Sequence, residues 1–168
     1  SHHVLRTSWD FGGPDDVHVV FTAGNTHQHW RLGSMGNYDI TLGSWLMTGQ
    51  AGSYDATTTV YFEEYYRKSW AFNEIYVGGQ GYERGTYASL RGMETIERED
   101  YKGLVADLTT TLPYPGGSSN PVVSHYEREI GLLDETFVVI FDRIVGLDAG
   151  DEKIVCVHGY HPEPPEIM

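Results

Sequence analysis

The sequence predicts an all-β protein, an antiparallel β-sandwich, and three observations indicate it. Short runs rich in valine, isoleucine, threonine and aromatic residues recur along the 168 residues, and twenty glycines interrupt them. No apolar pattern with the 3.6-residue period of a helix extends over a long segment. About ten strands at near-regular spacing are typical of stacked antiparallel sheets, with under about a tenth of the residues in helix.

The predicted strands are justified in chain order by β-branched or aromatic residues that alternate with polar ones. They span residues 17–22, 38–42, 45–48, 57–66, 73–77, 86–91, 104–112, 122–133, 136–147 and 153–160. The Gly78-Gly79 pair suits a tight turn after the fifth strand. A helix could lie only in a short stretch such as residues 127–134.

Residues 1–168 are predicted to form a single domain, because no repeat or shift in composition divides the chain. Residues 112–121 contain three prolines and two glycines, which predicts a long rim loop rather than a linker, since strand patterns resume at once. The proline-rich residues 161–166 are expected to lie on the surface or to continue into further chain.

The charge of the chain argues against two classes of partner. It carries 24 acidic and 11 basic side chains, a net charge of −13, whereas nucleic acids and anionic membranes bind basic patches. An acidic sugar would therefore need local cations, and the candidates are Arg31, Arg67, Lys68, Arg84 and Arg91. No apolar run approaches the roughly 20 residues of a membrane span, and no signal-peptide pattern is present.

The single cysteine, Cys156, excludes an internal disulfide, and its apolar neighbours predict a buried, inert thiol.

The segment Thr26-His27-Gln28-His29 is the first candidate for chemistry. Two imidazoles at positions i and i+2 of a strand point to the same face, so they can hold a metal or flank a substrate together. A pair of surface loop histidines is the alternative interpretation.

The order of several short motifs resembles the C-terminal β-sandwich of the heparinase II/III-like polysaccharide lyases. The motifs are Arg6-Thr7-Ser8-Trp9, residues 16–24, His27-Gln28-His29, Leu32-Gly33-Ser34-Met35, Gly43-Ser44-Trp45-Leu46, Gly52-Ser53-Tyr54, residues 73–80 and residues 137–144. The resemblance implies a secreted or periplasmic bacterial enzyme that cleaves uronic-acid polysaccharides by β-elimination. It also implies that an α/α-toroid domain precedes the sandwich, so the chain is expected to be part of a larger lyase.

The resemblance also implies residue roles. His27 matches a histidine that takes part in catalysis or neutralises the substrate carboxylate, beside a tyrosine and a histidine supplied by the toroid. The sandwich would then form one wall of the cleft and would be inactive alone. The residues predicted to bind an acidic polysaccharide or oligosaccharide are Trp30, Arg31, Tyr54, Arg67 and Asn73.

His29 matches a structural zinc ligand of the family, but the other ligand positions differ. The family has an aspartate and a histidine where this chain has Gln50 and Phe72. Because structural zinc needs about four nitrogen, sulfur or carboxylate ligands, we predict no bound cofactor. Arg31, where the family commonly has an aspartate, disfavours a metal further. His125 or His158 could still supply a remote ligand.

Two other classes of function remain open at the sequence level, and so does a homodimer. Trp9, Trp30, Trp45 and Trp70 could offer stacking surfaces in a non-catalytic carbohydrate-binding module. A cupin-like metal-binding protein would also place His-x-His on a strand. Cupins want a glutamate soon after the second histidine, and residues 30–36 contain no carboxylate.

Overall fold

The computed structural model describes residues 2–7, 16–22, 36–42, 44–47, 59–66, 69–79, 92–110 and 122–159. These residues form ten strands and two short helical segments. The strands are β1 (His2–Arg6), β2 (Val17–Thr22), β3 (Asn37–Leu42), β4 (Ser44–Met47), β5 (Ile75–Val77), β6 (Gly92–Glu97), β7 (Tyr101–Asp107), β8 (Val123–Leu133), β9 (Phe137–Gly146) and β10 (Lys153–Val155). The helical segments are a π-helical turn, Phe62–Tyr66, and a 3-10 turn, Ser69–Ala71.

The strands form antiparallel sheets, as the sequence predicts. One four-stranded sheet has the order β1-β2-β3-β4 and the other the order β6-β7-β8-β9, while β5 pairs with β10. Neighbours in both larger sheets are also neighbours in the chain, which is the pattern that successive hairpins produce. The predicted all-β sandwich class is therefore confirmed.

The core consists of the inward-facing side chains of both larger sheets and of β5. Val19 and Phe21 of β2, Ala106 of β7 and Ile130 of β8 are fully buried, and Val77 of β5 joins the same cluster. From Val17 to Phe21 of β2 the buried and half-buried positions alternate, so the period of two marks the core face there.

The prediction of a strand at residues 57–66 is wrong, because residues 60–66 are helical. The Thr59 hydroxyl accepts a hydrogen bond from the Phe62 N–H at 3.1 Å, as a capping side chain does at the start of a helix. The Tyr61 and Tyr65 rings, four positions apart, lie 5.5 Å from each other. These local contacts outweigh the β propensity of the threonines and tyrosines.

Other strand predictions need smaller corrections. β1 and β6 have no counterpart among the predicted strands, and β7 begins at Tyr101 rather than at residue 104. Residues 127–134, where a short helix could have lain, belong to β8 and its following turn. The predicted strand at residues 86–91 and the predicted loop at residues 112–121 lie outside the described residues.

The prediction of a buried Cys156 is also corrected, since its thiol lies in a partly exposed position. Its neighbours Val155 and Val157 are 56% and 53% exposed, so this apolar run is not a core strand. Burial nevertheless raises the pKa of the Cys156 thiol, and the nearby negative charge of Glu74 raises it further. Both effects favour the protonated and less reactive form of the thiol.

The strand β9 is the last strand in the order of its sheet and presents an apolar outer face. Phe137, Phe141 and Val145 are 60%, 49% and 51% exposed, whereas Ile140 and Ile144 pack on the core from the other face. No helix within the described ranges is long and apolar enough to cross a membrane.

Candidate functional site

The segment that carries His27 and His29 connects β2 to β3. These strands are antiparallel, and Thr22 at the end of β2 lies opposite Asn37 at the start of β3. The segment therefore leaves and re-enters the sheet at the same end. Residues 23–35 themselves lie outside the described residues.

Most of the predicted site residues also lie outside the part of the chain that the structure describes. His27, His29, Trp30, Arg31, Tyr54 and Arg67 lie outside the described residues, and so do Gln50 and the loop at 112–121. Their roles, and the prediction that both imidazoles share one face, stay predictions. Asn73 is the predicted substrate-binding residue whose surroundings the structure describes.

Gly36 fixes the point at which this connection returns to the sheet. Its N–H donates to the Thr22 carbonyl at 2.8 Å, and its backbone has a φ of +88°, which residues other than glycine rarely adopt. A Cβ at this position would lie 2.5 Å from Leu108 Cδ1. The backbone conformation therefore favours glycine at this end of the connection, and any larger residue would also have to displace the Leu108 side chain.

Asn73 joins this end of the sheet to β5 and to the chain after β10. Its side chain is fully buried: Nδ2 donates to the Tyr38 carbonyl at 2.8 Å, and Oδ1 accepts from the His158 N–H at 2.6 Å. Its own N–H donates to Asn37 Oδ1 at 3.0 Å. These bonds give Asn73 a positioning role in this structure, and its predicted contact with substrate stays a prediction.

Arg128 of β8 contacts the backbone of both Gly36 and Asn73. Its Nη1 donates to the carbonyl oxygens of both residues at 2.6 Å. Its Nε and Nη2 donate to the two carboxylate oxygens of Asp142 at 2.7 and 3.0 Å, a paired geometry that fixes the guanidinium plane. One side chain thus connects the sheet of β3, the segment before β5 and the sheet of β8 and β9.

The surroundings of Arg128 keep it charged although it is 1% exposed. Burial opposes the charge and would lower the pKa of Arg128, but the hydrogen bonds to Asp142 and the opposite charge of Asp142 outweigh that effect and raise it. The guanidinium carbon lies 5.3 Å from the Tyr38 ring centre and 5.9 Å from that of Tyr126. Burial raises the pKa of both tyrosines, so they stay neutral.

Arg128, Asp142 and Asn37 are the residues of this region that the sequence interpretation missed. The sequence does contain a signal for the burial of Arg128. Every second residue of this part of β8 is buried, and Arg128 lies midway between the buried Tyr126 and Ile130. Asp142 lies directly opposite it on β9. Residue spacing therefore marks Arg128 as a candidate for burial, but it does not show the contacts of Arg128 with Gly36, Asn73 and Asp142.

An open cleft of about 530 Å³ lies at the other end of the first sheet, near Arg6, which pairs with His18 at the start of β2. Its lining also includes Glu99, Asp100, Lys102 and Glu135. Asn73, the predicted site residue that the structure describes, does not line this cleft. The end of the sheet that carries the His27 segment therefore remains the candidate site.

The described residues contain no group of three or more histidine, cysteine or acidic side chains that could hold a metal ion. His158, one of the two remote candidates, uses its ring instead: Nε2 lies 2.8 Å from the Trp70 carbonyl oxygen. That bond makes His158 a link between two chain segments in this structure.

We expect the purified protein to contain well under one zinc ion per chain. Gln50 and Phe72 cannot ligate zinc as the family's aspartate and histidine do, and a bound ion would stabilise the folded state by mass action. Elemental analysis, together with melting curves with and without a chelator, checks this. Stoichiometric zinc with a chelator-induced fall in melting temperature would contradict it.

Comparison with known proteins finds a similar fold in solved lyases. A heparinase III structure matches with a TM-score of 0.62 at 18% identity, and the heparan sulfate lyase HepC from Pedobacter heparinus with 0.63 at 13%. Each match covers 87% of this chain and 21% of the other, so this chain spans about a fifth of their length. No family model and no curated protein matches the sequence. At this identity, the likeness shows the fold alone.

Proposed function

We propose that this chain is the β-sandwich of a polysaccharide lyase that cleaves uronic-acid polysaccharides by β-elimination, and that it forms one wall of the substrate cleft. The α/α-toroid of the proposed enzyme supplies the other wall. Like the enzymes implied by the sequence resemblance, the proposed lyase acts in the periplasm or after secretion.

The observation that carries this proposal is the position of the His-x-His segment within a sandwich of lyase-like fold. The segment joins β2 and β3, and Gly36, Asn73 and Arg128 fix the backbone where it re-enters the sheet. This connection of 13 residues, 23–35, starts and ends on a packed sheet, and connecting segments that a rigid scaffold positions often carry functional side chains. The fold likeness to heparinase III and heparan sulfate lyase supports the same assignment.

The chemistry explains why a histidine is useful in this position. In β-elimination a base removes the proton next to the uronate carboxylate, the electron pair forms a carbon–carbon double bond, and the glycosidic oxygen leaves with a proton from an acid. Negative charge accumulates on the carboxylate as this happens. An imidazole titrates near neutral pH, so His27 can neutralise that charge or transfer a proton.

The proposed substrate contacts follow the same division of tasks. Arg31 and Arg67 neutralise the acidic groups of the sugar, because the net charge of −13 gives no long-range attraction to a polyanion. Trp30 and Tyr54 supply aromatic surface, and Asn73, through its bonds to Asn37 and Tyr38, positions the start of β3, which follows the segment with Trp30 and Arg31. His29 takes a structural role beside His27.

A non-catalytic carbohydrate-binding module is the second candidate, and one observation favours it. Trp70 is 40% exposed although tryptophan is usually buried in a sandwich core. Such a module would bind sugar through exposed aromatic rings and would need no histidine. The two candidates therefore differ in how binding depends on His27.

Calorimetric titration of residues 1–168 with uronate-containing oligosaccharides tests the proposal. We expect heparan-type or alginate oligosaccharides to bind, neutral glucose oligomers of equal length to bind more weakly, and His27→Ala to weaken the acidic ligands selectively. Equal affinity for acidic and neutral sugars, with no effect of His27→Ala, would favour the binding module. Absence of binding to any acidic oligosaccharide would contradict the proposed function.

A further inference from the structure

The segment that precedes Asn73 carries an exposed tryptophan whose position is fixed from several sides. The Trp70 N–H donates to the Tyr76 hydroxyl at 3.0 Å, and the Trp70 carbonyl accepts from the His158 ring at 2.8 Å. His158 is in turn tied to Asn73 by its own N–H. The backbone of Trp70 is therefore held by the same network that holds the candidate site.

The indole itself has one covered face. It lies on the Tyr76 ring with 5.4 Å between ring centres and 9° between the planes, and Tyr76 is 7% exposed. The Tyr76 ring is thus stacked against the indole, and Trp70 as a whole residue is nevertheless 40% exposed. A flat aromatic surface is thus presented to solvent in a fixed orientation, with little rotamer entropy left to lose on binding.

A polar group accompanies this surface. A carbonyl oxygen can only accept, so the His158 Nε2 that contacts the Trp70 carbonyl must carry the proton. In the neutral ring, Nδ1 is then an acceptor. An exposed aromatic ring with a polar side chain bound to its own backbone fits a ligand that has both a C–H face and hydroxyl groups, which describes a pyranose ring.

We propose that Trp70 is a sugar-stacking subsite, which binds one pyranose ring of the polysaccharide on the exposed surface of its indole. The subsite rests on the proposed function, since that function supplies the polysaccharide. The sequence offers Trp70 only as a stacking surface of a non-catalytic module, whereas the subsite places it beside Asn73 in the proposed lyase. The electron-rich indole face attracts the C–H groups of the sugar, which carry partial positive charge.

The alternative is that Trp70 only packs against Tyr76 and stabilises the segment. The two roles separate in measurable ways. A packing role lowers the melting temperature when the ring is removed and leaves sugar affinity unchanged. A stacking role lowers the affinity even in a variant that keeps apolar contact with Tyr76.

The test is titration of residues 1–168 with a uronate oligosaccharide, using Trp70→Ala, Trp70→Leu and Trp70→Phe beside the unchanged protein. We expect Trp70→Ala and Trp70→Leu to lose about tenfold in affinity, and Trp70→Phe to lose less, because phenylalanine keeps a flat face. Trp70→Leu retains apolar packing on Tyr76, so it remains informative if Trp70→Ala unfolds. Phe137→Ala is the matched control, since that exposed ring on β9 takes no part in the site and its loss should leave affinity unchanged.

Ionic strength separates stacking from charge. We expect the fold-loss on Trp70→Leu to be the same at low and high salt, because salt screens ion pairs but not aromatic contacts. If Trp70→Leu binds the oligosaccharide as tightly as the unchanged protein does, the subsite is overturned and the proposed function stands. The same holds if Phe137→Ala loses as much affinity as Trp70→Leu. Absence of binding by the unchanged protein would overturn both.

Discussion

Replacing Arg128 with methionine is expected to lower the free energy of unfolding by about 3–5 kcal/mol. The guanidinium is 1% exposed and makes paired hydrogen bonds to Asp142, together with bonds to the carbonyls of Gly36 and Asn73. Methionine fills similar space but leaves a largely buried carboxylate and two carbonyl oxygens without their donor. Urea unfolding followed by circular dichroism measures the loss.

The neighbouring ion pair provides a matched control. Arg143 of β9 pairs with Glu127 of β8 one position along the same two strands, but the Arg143 side chain is 54% exposed. Arg143→Met should therefore cost under about 1 kcal/mol. Equal losses for Arg128→Met and Arg143→Met would show that burial of the first pair is unimportant.

A double replacement sharpens the interpretation. Arg128→Met combined with Asp142→Leu removes both charges, so it should recover part of the stability that Arg128→Met loses. If the double variant is no more stable than Arg128→Met, the unpaired carboxylate is not the main cost. Loss of the hydrogen bonds to the Gly36 and Asn73 carbonyls would then account for most of the stability that Arg128→Met loses.

His27→Ala is expected to lower turnover by about 100-fold or more in an enzyme that contains both the sandwich and the toroid. This is the scale for a positioned acid or base, and alanine can neither transfer a proton nor neutralise the substrate carboxylate. Initial rates of unsaturated-uronate formation, measured by ultraviolet absorbance under saturating substrate, report the change.

His29→Ala is the control for this prediction, because it removes an imidazole two residues away. It should change the melting temperature more than the turnover, since the sequence resemblance gives His29 a structural role. Normal turnover in His27→Ala would move His27 back to the alternative of a surface loop histidine. A larger loss of turnover in His29→Ala than in His27→Ala would exchange the two roles.

Much of the fold could be predicted because alternation of buried and exposed side chains is a local property of the sequence. β2 coincides with its predicted range, and β8 and β9 differ from theirs by one residue at one end or both. The prediction failed at residues 57–66, where the threonine and tyrosine content is β-like but the Thr59 cap and the Tyr61–Tyr65 contact favour a helical turn. Composition could not resolve that competition, because both states use the same residues.

The candidate site was harder to predict because its support comes from residues far apart in the chain. Arg128 lies 92 positions from Gly36 and 55 from Asn73, and His158 lies 85 from Asn73. Motif spacing shows none of these contacts. It could identify His27, but not the buried guanidinium that holds the end of the segment carrying it.

Trp70 shows the same limit. The sequence marks it as one of four tryptophans, each of which could equally belong to a core. Its stacking on Tyr76 and its partial exposure depend on the 3-10 turn before Asn73 and on His158 after β10. Tertiary structure therefore distinguishes a presented ring from a packed one.

The most direct test of the central claim is formation of unsaturated uronate by residues 1–168, alone and with the toroid of the same enzyme. We predict no product from heparan-type sugars or alginate with the sandwich alone, because one histidine cannot supply positioning, carboxylate neutralisation and proton transfer together. Product should form when the toroid is present in the same chain. Product from residues 1–168 by themselves would contradict the account.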